Sequence, residues 1–337
     1  NGDLTKSRWD HLERPPPLPL PVAQVQVLYE GNSDPPPPPT PIGLIAGGGG
    51  RLPYLIGQHL KAEGRPLHAL GFAGHYDEDL PDLCDTFQPV GLLRVAGWAN
   101  KLAKQGVHHA IMVGRVDKSS VMHDPKRYLH YVPDVRTMIA WYRSLRHDRR
   151  SHAILAAVAQ ELDRKGITLL DSTAPIPNEL ATPGVMTQRQ PTPEQHEDVR
   201  FVWPMLTELL RLDIGQSISA RCRDVIAVEA VEGTDRMVER TGTLCKARGW
   251  VLCKGARVGH DRRADVPTVG PTTIERMREH GGGCLALAAG DVIIVEKQRT
   301  LDLADRLGVT VIGVPQAQPR IVPATTGQVI APPMATV

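Results

Sequence analysis

The sequence predicts an α/β protein of two domains, and three observations carry that reading. Short apolar runs alternate along the chain with stretches of helical periodicity, the pattern of strands joined by crossover helices. The first apolar run leads straight into four consecutive glycines, Gly47 to Gly50, and then into an amphipathic stretch. The chain has 337 residues, of which 41% are hydrophobic, enough for two cores of ordinary size.

Taken in order, residues 1–41 hold eleven prolines. Proline supplies no ladder donor and breaks a helix interior, so this segment is expected to be a disordered leader. Residues 42–46 read as a strand, 54–63 as a helix, 67–71 as a strand, 96–105 as a helix and 109–113 as a strand. That alternation makes 42–160 a doubly wound, Rossmann-like parallel domain. A helical stretch over 135–165, interrupted near an arginine-rich turn, leads into a second α/β domain over 161–314. There strands are expected at 167–171, 225–230, 251–254, 284–288, 292–295 and 309–314. Thr192-Pro193-Glu194-Gln195 opens a helix to Leu212, with Thr192 as N-cap, Pro193 in the first helical position and Gln195 closing a capping box. Thr272 and Glu275 suggest a second box. Residues 315–337, rich in proline, alanine and threonine, are expected to be a disordered tail.

Composition excludes several classes. Lys+Arg total 39 against 37 Asp+Glu, a formal net charge of only +2, and aromatics are 4%. A nucleic-acid surface needs a basic excess or stacking rings, so no nucleic-acid partner is expected. Five cysteines without a C-x-x-C pair argue against a zinc knuckle or a disulfide framework. No run is long and apolar enough to span a bilayer.

Three segments could carry chemistry. Gly47-Gly48-Gly49-Gly50-Arg51-Leu52-Pro53 lies between a strand and a helix, where flexible backbone and free helix N–H groups suit an anion. Its spacing fits neither the P-loop nor G-x-G-x-x-G, and a ligand-free tight turn is the competing reading. Glu229-Ala-Val-Glu232-Gly233-Thr234-Asp235 ends a strand and begins a helix. Two carboxylates there suit a hard cation, whereas capping of the helix by Thr234 or Asp235 explains them equally well. The loop from Lys254 to Pro271 interleaves Arg257, His260, Arg262 and Arg263 with Asp261 and Asp265. Cations for phosphate oxygens beside carboxylates for a metal or a water are what phosphoryl chemistry requires; a solvated charged loop is the alternative.

Six motifs in this order give the chain a family likeness. They are I-G-L-I-A-G-G-G with L-P over 42–53, V-G-R-V over 113–116, and L-A-T-P-G-V-M-T over 180–187. L-D-I-G-Q over 212–216, A-V-E-A-V-E-G-T-D over 227–235, and D-V-P-T-V-G-P-T-T-I over 265–274 complete the set. Together they resemble the UDP-2,3-diacylglucosamine pyrophosphatases of an alternative branch of lipid A biosynthesis. Two departures stand out: the glycine loop is one residue longer than the usual G-G-G-x-L-P, and Arg149-Arg150-Ser151-His152 replaces an acidic segment.

The resemblance implies two α/β domains and hydrolysis of UDP-2,3-diacylglucosamine to UMP and 2,3-diacylglucosamine 1-phosphate, with Mg²⁺ or Mn²⁺ as cofactor. It makes Asp265 the catalytic aspartate, for metal binding or water activation, with Glu232, Asp235 and Asp261 expected to converge on it; Asp265, Asp261 and Asp235 are the expected metal ligands. Lys254 and Arg263 would neutralise developing phosphate charge. Gly47, Gly48, Gly49, Gly50, Leu52, Pro53, Gly114, Arg115 and Gln216 would bind substrate. A diacylated substrate implies a cytoplasmic protein working peripherally at the inner face of the inner membrane, with the arginines of 143–150 as lipid contacts, and is compatible with a homodimer. Two rivals remain at this point, a nucleotide-dependent oxidoreductase and a non-catalytic nucleotide or glycolipid carrier.

Overall fold

The structure, a computed structural model, describes residues 35–48, 50–72, 75–114, 151–257, 259–263 and 266–315. The expected leader up to residue 34, the tail from residue 316, and the expected helix over 135–150 lie outside the described residues. The described chain begins before the expected boundary at residue 42. The buried guanidinium of Arg65 donates to the Pro36 carbonyl at 2.6 Å, and the Ile42 N–H donates to that of Pro66 at 3.0 Å. Residues 35–41 thus provide an acceptor that a buried cation needs.

Five strands form the first sheet: β1 (Ile42–Ala46), β2 (Leu67–Phe72), β3 (Thr86–Val90), β4 (His109–Val113) and β5 (Thr168–Leu169). All are parallel, in the order β3-β2-β1-β4-β5. Leu44, Ala46 and Ile111 pack on Leu52, Ile56 and Leu60 of α1 (Leu52–Ala62). On the other face, Ile45, Leu70 and Ala110 meet Trp98 and Leu102 of α3 (Val95–Lys104) and Leu162 of α4 (Ser151–Asp163); a short α2 (Leu80–Leu83) precedes β3. Burial on both faces is why the central β1 reads as an unbroken apolar run, whereas β3, half-buried at the sheet edge and carrying Gln88 and Pro89, lacks that signal. The order reverses between β1 and β4, and in such sheets ligands gather beyond the strand ends at that point.

One expected boundary is displaced. The division at 160/161 would give β5 to the second domain, but Thr168 and Leu169 pair with His109 and Ala110 of the first sheet. Ile167 and Leu169 are buried in the first core, so the sheet closes only after the crossover helix has returned.

The second sheet is mixed. Its strands are β6 (Gly184–Val185), β7 (Ser217–Arg221), β8 (Asp224–Val228), β9 (Trp250–Lys254), β11 (Gly282–Ala288) and β13 (Thr310–Val314), in the order β6-β13-β11-β9-β7-β8. β10 (Thr268–Val269) and β12 (Ile293–Ile294) form a separate parallel pair, so the strand expected at 292–295 lies outside the main sheet. β9, β11 and β13 are parallel, while β7 is antiparallel to both β9 and β8. Two reversals return β8 to the direction of β9, so the ends of β8, β9, β11 and β13 share one edge. The face formed by Val251, Cys253 and Ala286 packs on α5 (Pro193–Arg211). The opposite face packs on α6 (Thr234–Leu244) and α7 (Pro271–Glu279), with Ala304 of α8 (Lys297–Leu307).

Helix α5 starts as its local sequence dictates. The Gln195 N–H donates to Thr192 Oγ1 at 3.2 Å, and the Thr192 N–H donates to Gln195 Oε1 at 3.0 Å. Replacing Thr192 with alanine removes one of these bonds and is expected to cost about 1 kcal/mol; the shift of the urea midpoint measures it. The box expected at Thr272 is not the start of α7. Gly270 is the N-cap, and the fixed φ of Pro271 suits the first helical position.

Candidate active site

The glycine loop sits at the switch point of the first sheet. β1 delivers Gly47 and β4 delivers Gly114, and the Gly47 N–H donates to the Val113 carbonyl at 2.7 Å. Gly114 has φ +101°, and a methyl group on it would lie 2.5 Å from the Gly47 carbonyl oxygen. The two motifs expected to bind substrate therefore touch, and only glycine permits the approach. Gly48 is packed against His75, while Gly50, at φ +115°, has open space around it. Leu52 and Pro53 are placed differently from the expectation: both are buried, Leu52 among the core residues, as the first turn of α1. Their burial fixes the helix start rather than offering side chains to a ligand. Arg51 is held by Asp79 at 2.8 Å and lies 4.3 Å over the Tyr54 ring. Gly49 and Arg115 lie outside the described residues.

The second sheet assembles a buried polar group at its strand ends. Lys254 closes β9, Ser217 opens the antiparallel β7 beside it with Gln216 just before, and Glu229 follows β8. Ser217 is the register partner of Lys254. The Gly255 N–H donates to the Gln216 carbonyl at 3.0 Å, and the Glu229 N–H to the Ser217 carbonyl at 2.9 Å. Lys254 Nζ donates to Thr234 Oγ1 at 2.6 Å, and that hydroxyl lies 3.1 Å from both Glu229 carboxylate oxygens. Exposure is 5% for Lys254, 7% for Thr234 and 8% for Glu229. Capping does not account for Thr234 or Asp235: Gly233, at φ 81°, is the N-cap of α6, with no side-chain capping bond.

The other expected carboxylates have arginine neighbours. Glu232 accepts from Arg240 and from the Ala230 N–H at 3.1 Å. Burial pushes its pKa up, but these bonds outweigh it and leave the carboxyl below its ordinary range. Asp235 is about half exposed, with Arg276 Nε at 3.8 Å. Asp261 accepts from Arg263 Nε at 2.8 Å, from Arg263 Nη2, and from the Arg263 N–H at 3.1 Å. Burial again raises its pKa while Arg263 lowers it further, and the net direction is downward. Arg263, expected to face phosphate, is thus largely matched by its own loop.

Glu232, Asp235 and Asp261 were expected to converge on a cation. Among the described residues no three carboxylate, histidine or cysteine groups come together in that way. The physical reason is local: an arginine two to eight positions away neutralises Glu232 and Asp261. Among the described residues these three form no cage of their own. Asp265 lies outside the described residues, but both its flanks are anchored. On one side, the Arg262 carbonyl accepts from the Ser172 N–H at 3.0 Å and the Ser172 hydroxyl at 2.8 Å, joining the loop to the segment after β5. On the other, the Pro267 carbonyl accepts from the Ile293 N–H at 2.9 Å.

A polar hollow of about 210 Å³ opens at the opposite edge, where β9 and β11 begin, lined in part by Arg189, Arg248 and Arg278. It holds none of the expected site residues. Sequence reasoning weighed Glu229 as a cation ligand and Thr234 as a helix cap, and missed the contact chain the two form with Lys254.

Comparisons with known proteins agree with the order of motifs. The model of the LpxI N-terminal domain matches residues 41–178, and that of the LpxI C-terminal domain matches 182–312. The UDP-2,3-diacylglucosamine pyrophosphatase LpxI of Caulobacter vibrioides is 31% identical over 290 residues, spanning 82% of this chain and 99% of that protein. With both domain models matched in sequence and one relative aligned nearly end to end, the chain belongs to the LpxI family of UDP-2,3-diacylglucosamine pyrophosphatases.

Proposed function

We propose that this chain hydrolyses the diphosphate of UDP-2,3-diacylglucosamine, releasing UMP and 2,3-diacylglucosamine 1-phosphate for lipid A biosynthesis. The observation that carries the reading is the buried Lys254 at the ends of the second sheet, in a chain whose relative of that name aligns over almost its whole length. Water supplies the new P–O bond, the bridging P–O bond breaks, and the water protons pass to the medium and the products. Lys254 offsets charge on the diphosphate, the backbone of Gly47, Gly48 and Gly114 at the ends of the first sheet binds the substrate, and Asp265 orients or activates the water. An oxidoreductase is disfavoured by the glycine spacing and by the family match; a silent carrier differs from the enzyme only in turnover.

A requirement for Mg²⁺ or Mn²⁺ belongs to this proposal. Mg²⁺ commonly takes one or two carboxylates and completes its shell with substrate phosphates and water. Such a requirement would rest on Asp265 and the diphosphate rather than on the arginine-paired carboxylates. Purified protein given UDP-2,3-diacylglucosamine should release UMP, and excess EDTA should stop it until Mg²⁺ is restored. No UMP under any condition sinks the enzymatic reading; undiminished release in EDTA sinks the metal alone.

Access to a diacylated substrate is proposed to occur at a membrane surface. Among the described residues no helix is long and apolar enough to cross one. The arginines of 143–150, the proposed lipid contacts, lie outside the described residues.

A further inference from the structure

Three polar side chains, each more than nine-tenths buried, form one chain of contacts: Lys254 Nζ to Thr234 Oγ1 at 2.6 Å, and Thr234 Oγ1 to Glu229 at 3.1 Å. Burying a cation and a carboxylate costs free energy that their attraction seldom returns in full, so an apolar trio would serve stability as well. The placement suggests another use. The end of β9, the residue after β8 and the first residue of α6 each contribute one member, so three separate parts of the chain meet at the shared strand-end edge. Gly215 presses so close to Glu229 that a methyl group there would overlap the Glu229 carbonyl oxygen. Ser217, paired in register with Lys254, is fully buried, and its hydroxyl has no hydrogen-bond partner among the described residues. Directly opposed residues in an antiparallel pair project to the same face, so that hydroxyl and Lys254 share a side of the sheet. An unsatisfied buried hydroxyl is costly unless some further polar atom takes it.

Resting on the hydrolytic reading above, we propose that Thr234 and Glu229 are positioning residues for Lys254: the Thr234 hydroxyl accepts from the ammonium and donates to the Glu229 carboxylate, holding the cation where the substrate's diphosphate develops charge. Neither residue touches substrate. The relay is worth most when that charge is greatest, so its loss appears in kcat more than in KM.

The test measures UMP release from UDP-2,3-diacylglucosamine by wild type, Thr234→Val, Thr234→Ser and Glu229→Gln, with a thermal melt of each. Valine keeps the shape but not the hydroxyl; kcat should fall roughly 10- to 100-fold with KM within about twofold, the scale of losing one preorganised electrostatic contact. Serine restores the hydroxyl and should recover most of the wild-type kcat. Glu229→Gln keeps the shape and weakens the acceptor, and should lower kcat about tenfold. Should Thr234→Val not fold, the folded Ser and Gln variants decide by the same kcat-against-KM split. An active wild type with an unaltered kcat in Thr234→Val or Glu229→Gln overturns the relay but leaves the hydrolytic reading standing. A Thr234→Ser enzyme as slow as Thr234→Val also overturns it. A folded wild type that releases no UMP overturns the hydrolytic reading, and the relay with it.

Discussion

Asp265→Ala is expected to lower kcat for UMP release by roughly a hundredfold or more, the scale of losing a general base or a principal electrostatic group. The flanks of this position are fastened independently. Ser172 holds the Arg262 carbonyl, and Ile293 holds that of Pro267. Pro267 also restricts the backbone of the residue before it to extended conformations. Removing a side chain from a loop tied at both ends should leave the fold intact, so substrate affinity should survive. The mutant should then retain uncleaved UDP-lipid, detectable by mass spectrometry of bound ligand. An unstable mutant that binds nothing would mean that the aspartate braces the loop. A folded mutant with near-normal kcat would remove it from the mechanism.

Gly215→Ala should damage stability and rate together. The added methyl would overlap the Glu229 carbonyl oxygen, and backbone on both sides must move. Overpacking of this kind costs about 1–3 kcal/mol. The melting temperature should drop by several degrees. Displacement of the strand end carrying Glu229 also disturbs the Lys254 contact chain, and misplacing a catalytic group by about 1 Å can cost a hundredfold in rate. Gly64→Ala is the control, because beyond its chain neighbours nothing described lies within 4 Å of its would-be methyl, and any loss there reflects its φ of +73° alone. Wild-type melting and turnover in Gly215→Ala would contradict the close packing of these two motifs.

How much the sequence disclosed depended on how local each interaction was. The start of α5 is set within four residues, and the capping box is present as read. β1 was legible because burial on both faces leaves it uniformly apolar, and β4 because Ala110 to Val113 form an apolar run after His109. β7 was missed: only Ile218 and Ala220 give it apolar character, and the serines that alternate with them are buried as well, Ser219 bonded to Thr241 Oγ1 at 2.8 Å. Helix α8 was missed because its buried residues are few, Thr300 and Ala304 among them. At the site, the spacing of Glu229 and Glu232 suggested a carboxylate pair. The turn between β8 and α6 separates them, burying Glu229 against Thr234 and sending Glu232 to Arg240. Which of two neighbouring carboxylates faces inward depends on the strand laid beside them, and Lys254 arrives from twenty residues further along the chain.

The short β6 gives the proline of the L-A-T-P-G-V-M-T motif a further meaning. β6 covers only Ile312 and Gly313 of β13, and Gly184 within it has φ +91° directly after Pro183. A flat outermost strand with free backbone groups would invite a second chain to add itself by hydrogen bonding. A two-residue strand bent by Pro183-Gly184 offers almost no such template. Growth of the second sheet from one copy into the next is therefore blocked on this side, and the protein gains protection from strand-by-strand self-assembly at high concentration.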